Sequence, residues 1–229
     1  VRLLAIFAHP DDEVGTAGTL AKHAHRGDAV KLVWLTRGEL ASQFGTMAPE
    51  EVAAIREGHG REVAQIVGGE YEFLNYPDAG LTGGRDEALA VAKLIAAWKP
   101  DVVFTWDYQD VHPDHRATYW AVFSALKLCR IPKLVGEPHR KPVRLMHYHR
   151  NDISRPSVYV DISKSLEVAE KVFLLYHDFY KWEFTLENYR ANRARLGGEA
   201  GVKYAERFQS ETPVALSFLP SGKSGEIEE

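Results

Sequence analysis

Two short segments hold the groups that could do hydrolytic chemistry. "HPDDE" (9–13) follows the apolar run "LLAIFA" (3–8), and "HPDH" (112–115) comes six residues after "DVVFTW" (101–106) ends. Consecutive acids at the end of a buried strand raise one another's pKa unless a cation balances them. Acids there could also simply serve a helix N-terminus. Two such segments in one chain favour the cation. Imidazole and carboxylate together suit a borderline divalent metal, and zinc accepts both in a three-ligand site with an open position. The bend at Pro10 lets His9 and Asp12 reach one centre from a single turn, with Asp11 beside it. The one cysteine, Cys129, rules out a thiolate site, and no HExxH is present.

The elements that must position these groups alternate as strand and helix. "RLLAIFA" (2–8), "AVKLVWLT" (29–36), "YEFLNY" (71–76) and "DVVFTW" (101–106) read as strands. Helices are expected over 16–27, 48–69, 85–100 and 115–129. Beyond Arg130 the pattern loosens, with strands at 143–149 and 157–162 and helices at 164–182 and 186–196. The pattern is that of an α/β, Rossmann-like, mainly parallel sheet flanked by helices. In such sheets ligands bind beyond the carboxyl ends of the strands, where the strand order reverses. With the order 3-2-1-4-5, both His/Asp turns face one crevice. Residues 1–220 read as a single domain and 221–229 as a disordered tail.

At this point the sequence resembles the LmbE/PIG-L-type zinc-dependent N-deacetylases, which carry paired "HPDDE" and "HPDH" motifs. "TRGE" (36–39), "YPDAG" (76–80), Arg56 and "GVKYAERF" (201–208) also fit that family. The resemblance implies that His9, Asp12 and His115 bind Zn²⁺, with Fe²⁺ or another divalent metal as a substitute. It makes Asp11 the general base. His112 would act at the oxyanion and leaving group as an imidazolium held charged by Asp114. Arg56 and Asp78 would line a sugar pocket, and His177 corresponds to a histidine that relatives carry near it. Glu39, with Arg37, ends a strand on the crevice side, either on the rim or in a turn ion pair. Some relatives have a tyrosine where this chain has Asp110, with Tyr108 shifted nearby, and an acid where it has His59. The implied reaction is removal of acetyl from an N-acetylglucosamine-containing small molecule, either malate-linked or chitobiose-like.

Other features bound the reading. His147 and His149 sit two apart on an expected strand, as a half-buried pair or a second metal site. Trp98, Trp106 and Trp120 read as core, and the aromatic stretch 173–184 as a lip over the pocket or a subunit interface. Net charge is −4, which points to no nucleic acid and no anionic membrane as partner. No membrane-length apolar run and no signal peptide appear, so a cytoplasmic enzyme is expected, with a homo-oligomer as its assembly. Two alternatives use the same residues differently. A two-His, one-carboxylate set can hold non-haem iron in an oxygenase. A Rossmann-like module could bind a nucleotide, but the first turn lacks GxGxxG and its acids repel phosphate.

Overall fold

The computed structural model describes residues 1–148 and 157–211. The strands are β1 (Arg2–Phe7), β2 (Ala29–Thr36), β3 (Glu70–Tyr76), β4 (Val102–Trp106), β5 (Arg144–Tyr148), β6 (Ser157–Asp161) and β7 (Ala205–Ser210). They form one sheet in the order β3-β2-β1-β4-β5-β7-β6. The first five run parallel, while β7 is antiparallel to both β5 and β6. The 3-2-1-4-5 order expected from sequence is therefore present, extended by two strands at one edge.

The helices are α1 (Ala17–His25), α2 (Pro49–Val67), α3 (Arg85–Trp98), α4 (Pro113–Leu128), α5 (Pro132–Val135), α6 (Leu166–Tyr180) and α7 (Leu186–Ala200). They cover both faces of the sheet, which explains why β1 is apolar without alternation from Leu3 to Phe7. Its odd residues Leu3, Ala5 and Phe7 join a cluster with Leu20, Trp34 and Phe173. Its even residues Leu4 and Ile6 pack with Val91, Ile95 and Val122 on the other side.

Three differences from the sequence reading have physical causes. β7 escapes that reading because its pattern is broken by Glu206, Arg207 and Gln209. Glu206 is nonetheless fully buried, accepting the N–H groups of Gly18 and Thr19 in the first turn of α1. An anion there meets unpaired backbone donors and the positive end of the helix. α7 runs past its expected end at 196, through Gly197. A Cβ at that position would come within 2.6 Å of the Lys203 carbonyl oxygen, so only glycine allows the helix to pass so close. Trp120, expected in the core, is 47% exposed on α4.

Candidate active site

β1 and β4 are neighbours, so the turns that leave them meet at the switch point. The "HPDDE" turn starts from Ala8, whose carbonyl accepts both the N–H and the hydroxyl of Thr36 from β2. The second turn ends in α4, which begins at Pro113 with His112 as its N-cap. Proline at the first helical position has no N–H to leave unsatisfied.

Asp12 is the hub. Its Oδ2 accepts the backbone N–H of Ala8 and of His9, each at 3.0 Å, and the Trp106 indole N–H at 2.8 Å. Its Oδ1 lies 3.2 Å from His115 Nε2. The other nitrogen of His115, Nδ1, is 2.9 Å from Asp110 Oδ1, and its ring stacks on Trp106 at 3.8 Å. His9 is arranged in the same way. Its Nε2 lies 3.0 Å from Asp78 and 3.2 Å from Asp114, while Nδ1 is 3.9 Å from Asp12 Oδ2. Each imidazole thus has one nitrogen on a supporting carboxylate and the other turned to Asp12. Outer carboxylates commonly set the tautomer and aim of metal-binding histidines in this way.

The electrostatics follow from this crowding. Burial pulls the His9 pKa down, but hydrogen bonds to Asp114 and Asp78 win and push it up to about 10. Burial likewise opposes His115, and Asp12 and Asp110 raise it to about 9. Burial would raise Asp12, yet His115 and His9 hold it well below the usual carboxylate range. The acids thus favour the charged form of both rings. The Asp114 Oδ1 atom is buried with no hydrogen-bond partner. Among the described residues, His9, His112 and His115 bring donor atoms within 4.8 Å of one another, as do His9, Asp78 and Asp114. Asp12 belongs to neither cluster, but its oxygens lie 3.9 Å from His9 Nδ1 and 3.2 Å from His115 Nε2, and imidazole with carboxylate is a donor chemistry that suits a dication.

Asp11 stands beside the hub with φ 114° and ψ −21°, a conformation rarely adopted by a residue with a side chain. Arg56 on α2 donates to the Pro10 carbonyl and lies 3.4 Å from Asp11 Oδ2. Burial raises the Asp11 pKa to about 6, with Arg56 opposing the rise. Gly38 makes room for this arginine: its φ is +65°, and a Cβ would come 2.5 Å from Arg56 Nε.

Several expected roles change. The Asp114 carboxylate meets His9 and the Ala79 N–H rather than the His112 ring. His112 Nδ1 instead accepts the Asp114 backbone N–H at 3.2 Å. Burial, then the charges of His115 and His9, lower its pKa. These surroundings favour the neutral ring over the expected imidazolium. Asp78 lines the cleft but is engaged with His9 and the Leu40 and Ala79 N–H groups. Glu39 accepts the Asp78 N–H at 2.8 Å and faces a neighbouring depression, while Arg37 pairs with Glu57. His177 is not brought to the cleft: its ring packs on Phe173 and Nδ1 pairs with Asp178. His147 is buried, held by Glu211 and the Trp106 carbonyl, and His149 lies outside the described residues, as does the expected tail at 221–229.

Sequence reasoning missed three supporting residues. Glu13, fully buried, accepts the Asp11 N–H, the Trp34 indole N–H and the Tyr176 hydroxyl. Trp106 reads as core in the sequence, and Asp110 only as a departure from relatives. Their signal was position, at a strand end or inside the motif.

An α/β fold with a His–carboxylate centre at the strand ends defines the class of the protein. The chain belongs to the PIG-L family, GlcNAc-PI de-N-acetylase, whose pattern it matches over residues 4–126. It is 25% identical over 235 residues to the diacetylchitobiose deacetylase of Thermococcus kodakarensis, covering 96% of this chain and 86% of the relative. It is 29% identical to the 1D-myo-inositol 2-acetamido-2-deoxy-alpha-D-glucopyranoside deacetylase of Kineococcus radiotolerans, over 56% of this chain and 45% of that one. The chain spans about half the length of such inositol-type relatives. Among solved structures, a conserved protein of Thermus thermophilus superposes with a TM-score of 0.83 at 33% identity, covering 98% of this chain and 100% of that one. The N,N'-diacetylchitobiose deacetylase of Pyrococcus horikoshii does so with a TM-score of 0.80 at 27% identity, covering 91% and 83%.

Proposed function

We propose that the protein is a zinc-dependent N-deacetylase that hydrolyses the acetamide of an N-acetylglucosamine-containing small molecule. His9, Asp12 and His115 would hold the metal, and Fe²⁺ or another divalent ion could substitute for Zn²⁺. The observation that carries the reading is the convergence of His9 Nδ1 and His115 Nε2 on Asp12, each ring backed by its own carboxylate. When bound, the dication would act as a Lewis acid toward the amide carbonyl and lower the pKa of a water.

The chain's own groups supply the remaining steps. Asp11, ionised near neutrality, takes a proton from the attacking water as its oxygen bonds to the carbonyl carbon. Arg56 holds Asp11 and the Pro10 carbonyl in place for that transfer. Neutral His112 aims its Nε2 proton at the developing oxyanion, with Nδ1 fixed on the α4 backbone. Asp11 then passes its proton to the nitrogen as the C–N bond breaks, releasing acetate and the free amino sugar.

Candidate substrates are a chitobiose-like disaccharide and a hydroxy-acid conjugate such as malate-linked N-acetylglucosamine. The two alternative readings, an iron oxygenase and a nucleotide-binding module, gain no support from the relatives described above. Cytoplasmic location and a homo-oligomeric state belong to the same proposal. Among the described residues no helix is long and apolar enough to cross a membrane. The deciding test is acetate release from a panel of N-acetylglucosamine conjugates by metal-reconstituted protein. Activity is expected, lowered at least about 10²-fold in Asp11→Asn. Inertness toward every conjugate would sink the reading.

A further inference from the structure

Two turns meet beside His9 and clip each other. In the first, which leaves β2, the Ala41 N–H donates to the Gly38 carbonyl at 3.2 Å. In the second, which leaves β3, the Gly80 N–H donates to the Pro77 carbonyl, also at 3.2 Å. Glu39 of the first turn accepts the Asp78 backbone N–H at 2.8 Å. Asp78 answers from the second, its Oδ2 accepting the Leu40 N–H at 2.9 Å. Bonds from a backbone N–H to a carboxylate are roughly twice as strong as neutral ones.

The second turn needs such a hold. Ala79 has φ 56°, in the left-handed region that residues with a side chain rarely adopt. Its N–H is thereby shared between Asp78 Oδ1 and Asp114 Oδ2, each at 2.8 Å. Those same two oxygens sit on His9 Nε2, at 3.0 Å and 3.2 Å. A costly backbone conformation lasts only when neighbouring contacts enforce it, and the contact placed just ahead of Ala79 is Glu39. The first turn leads into the cleft instead. Leu40 is 57% exposed and lines the cleft with Ala41 and Ser42. The backbone of a residue that faces a ligand is thus bonded to the carboxylate behind His9. Glu39 itself lines a separate depression, so any effect it has on the cleft passes through Asp78.

We propose that Glu39 is a positioning residue for His9: by clipping the 77–80 turn it aims Asp78 at Nε2, leaves Nδ1 turned toward Asp12, and joins the cleft wall at Leu40 to the metal ligand as one body. The proposal rests on the metal-dependent reading of that cleft. It gives Glu39 no contact with substrate and no part in proton transfer.

The test measures Zn²⁺ affinity by competition with a chelator. Glu39→Ala should weaken it roughly 10-fold, the low end of the loss that follows removal of a group supporting a metal-bound histidine. Glu39→Gln keeps an oxygen for the Asp78 N–H and should recover most of the affinity. Glu39→Met, which fills the space without an acceptor, carries the comparison should the alanine variant fail to fold. In an Asp78→Ala background the Glu39→Ala change should cost clearly less, because the carboxylate it aims is gone. The kcat lost by Glu39→Ala at limiting Zn²⁺ should return in excess Zn²⁺. Unchanged affinity in Glu39→Ala, a glutamine variant as weak as the alanine one, or a full second loss in the Asp78→Ala background overturns the assignment and leaves deacetylation standing. Failure of the Zn²⁺-loaded wild type to hydrolyse any conjugate counts against the deacetylase reading instead. The affinities then judge Glu39 alone: weakening by alanine with recovery by glutamine supports it. A wild type that binds no Zn²⁺ overturns both.

Discussion

The backbone N–H of Asp11 donates to the buried carboxylate of Glu13 at 3.1 Å, while Asp11 itself holds φ 114°. The last acid of the motif thus pins the strained residue that we propose as the general base. Trp34 and Tyr176 anchor Glu13 from β2 and α6, so Asp11 is tied to two distant elements. Strain of this kind persists only where surroundings over-determine it.

Glu13→Ala should therefore lose both stability and turnover. It leaves three donors without an acceptor, each worth about 1–3 kcal/mol when buried. Glu13→Gln keeps an oxygen for Asp11 and Trp34, and the Tyr176 hydroxyl can rotate to accept. The expected pattern is a large fall in Tm and kcat for alanine, with the glutamine variant recovering most of both. Chemical denaturation and steady-state kinetics on the pair check this. Full kcat in a folded Glu13→Ala enzyme would disprove the link to Asp11.

Arg56 offers a second test. Its charge opposes the rise in the Asp11 pKa that burial causes. Removing that charge in Arg56→Met should raise the Asp11 pKa further, so the base ionises only at higher pH. The acid limb of the kcat/KM profile is expected to move upward, along with a loss of kcat. A limb that stays in place would mean that Arg56 acts on the sugar alone.

The first five strands and their order were legible because buried parallel strands are unbroken apolar runs and the intervening helices end at glycine or proline. The His/Asp turns were legible because so many acids at strand ends have few structural uses. β7 was hidden, since Glu206 and Gln209 are buried by pairing and not by being apolar. Roles within the site were harder to read. The family resemblance put Asp114 beside His112, but the α4 N-terminus gives His112 a backbone donor and turns the carboxylate to His9. Glu39 and His177 sat at plausible positions in the chain, yet a strand end and a helix each have two sides. The aromatic stretch 173–184 gave no sign of which residues would wall a cavity until α6 and α7 were seen against β7.

Asp110 leads to a third prediction. It holds His115 Nδ1 at 2.9 Å and also accepts the His112 N–H, fixing which nitrogen of His115 faces Asp12. Asp110→Asn should weaken metal affinity about 10–100-fold, the usual loss when such a supporting partner is removed. Competition with a chelator measures it. Unchanged affinity would show that the Trp106 stack alone orients His115.

The metal-free protein should become less stable as pH rises. His9 and His115 have folded pKa values of about 10 and about 9, above their ordinary 6.5. Their contribution is complete below about pH 6.5 and disappears as pH climbs through about 9 and 10. Asp11 and Glu13, pushed up by burial to about 6 and about 7, lose stability on ionising earlier, above their ordinary 3.8 and 4.5. Asp12 has the opposite sign, because its lowered value adds stability above pH 3.8 that is lost on acidification. From about pH 5 upward the falling terms dominate. Metal uptake runs the other way, since neutral imidazoles are needed and their protons must leave. The Tm difference between loaded and metal-free protein is thus expected to widen from about pH 6 toward 9, with proton release in calorimetry over the same range. A difference independent of pH would mean that the two histidines are not the groups displaced.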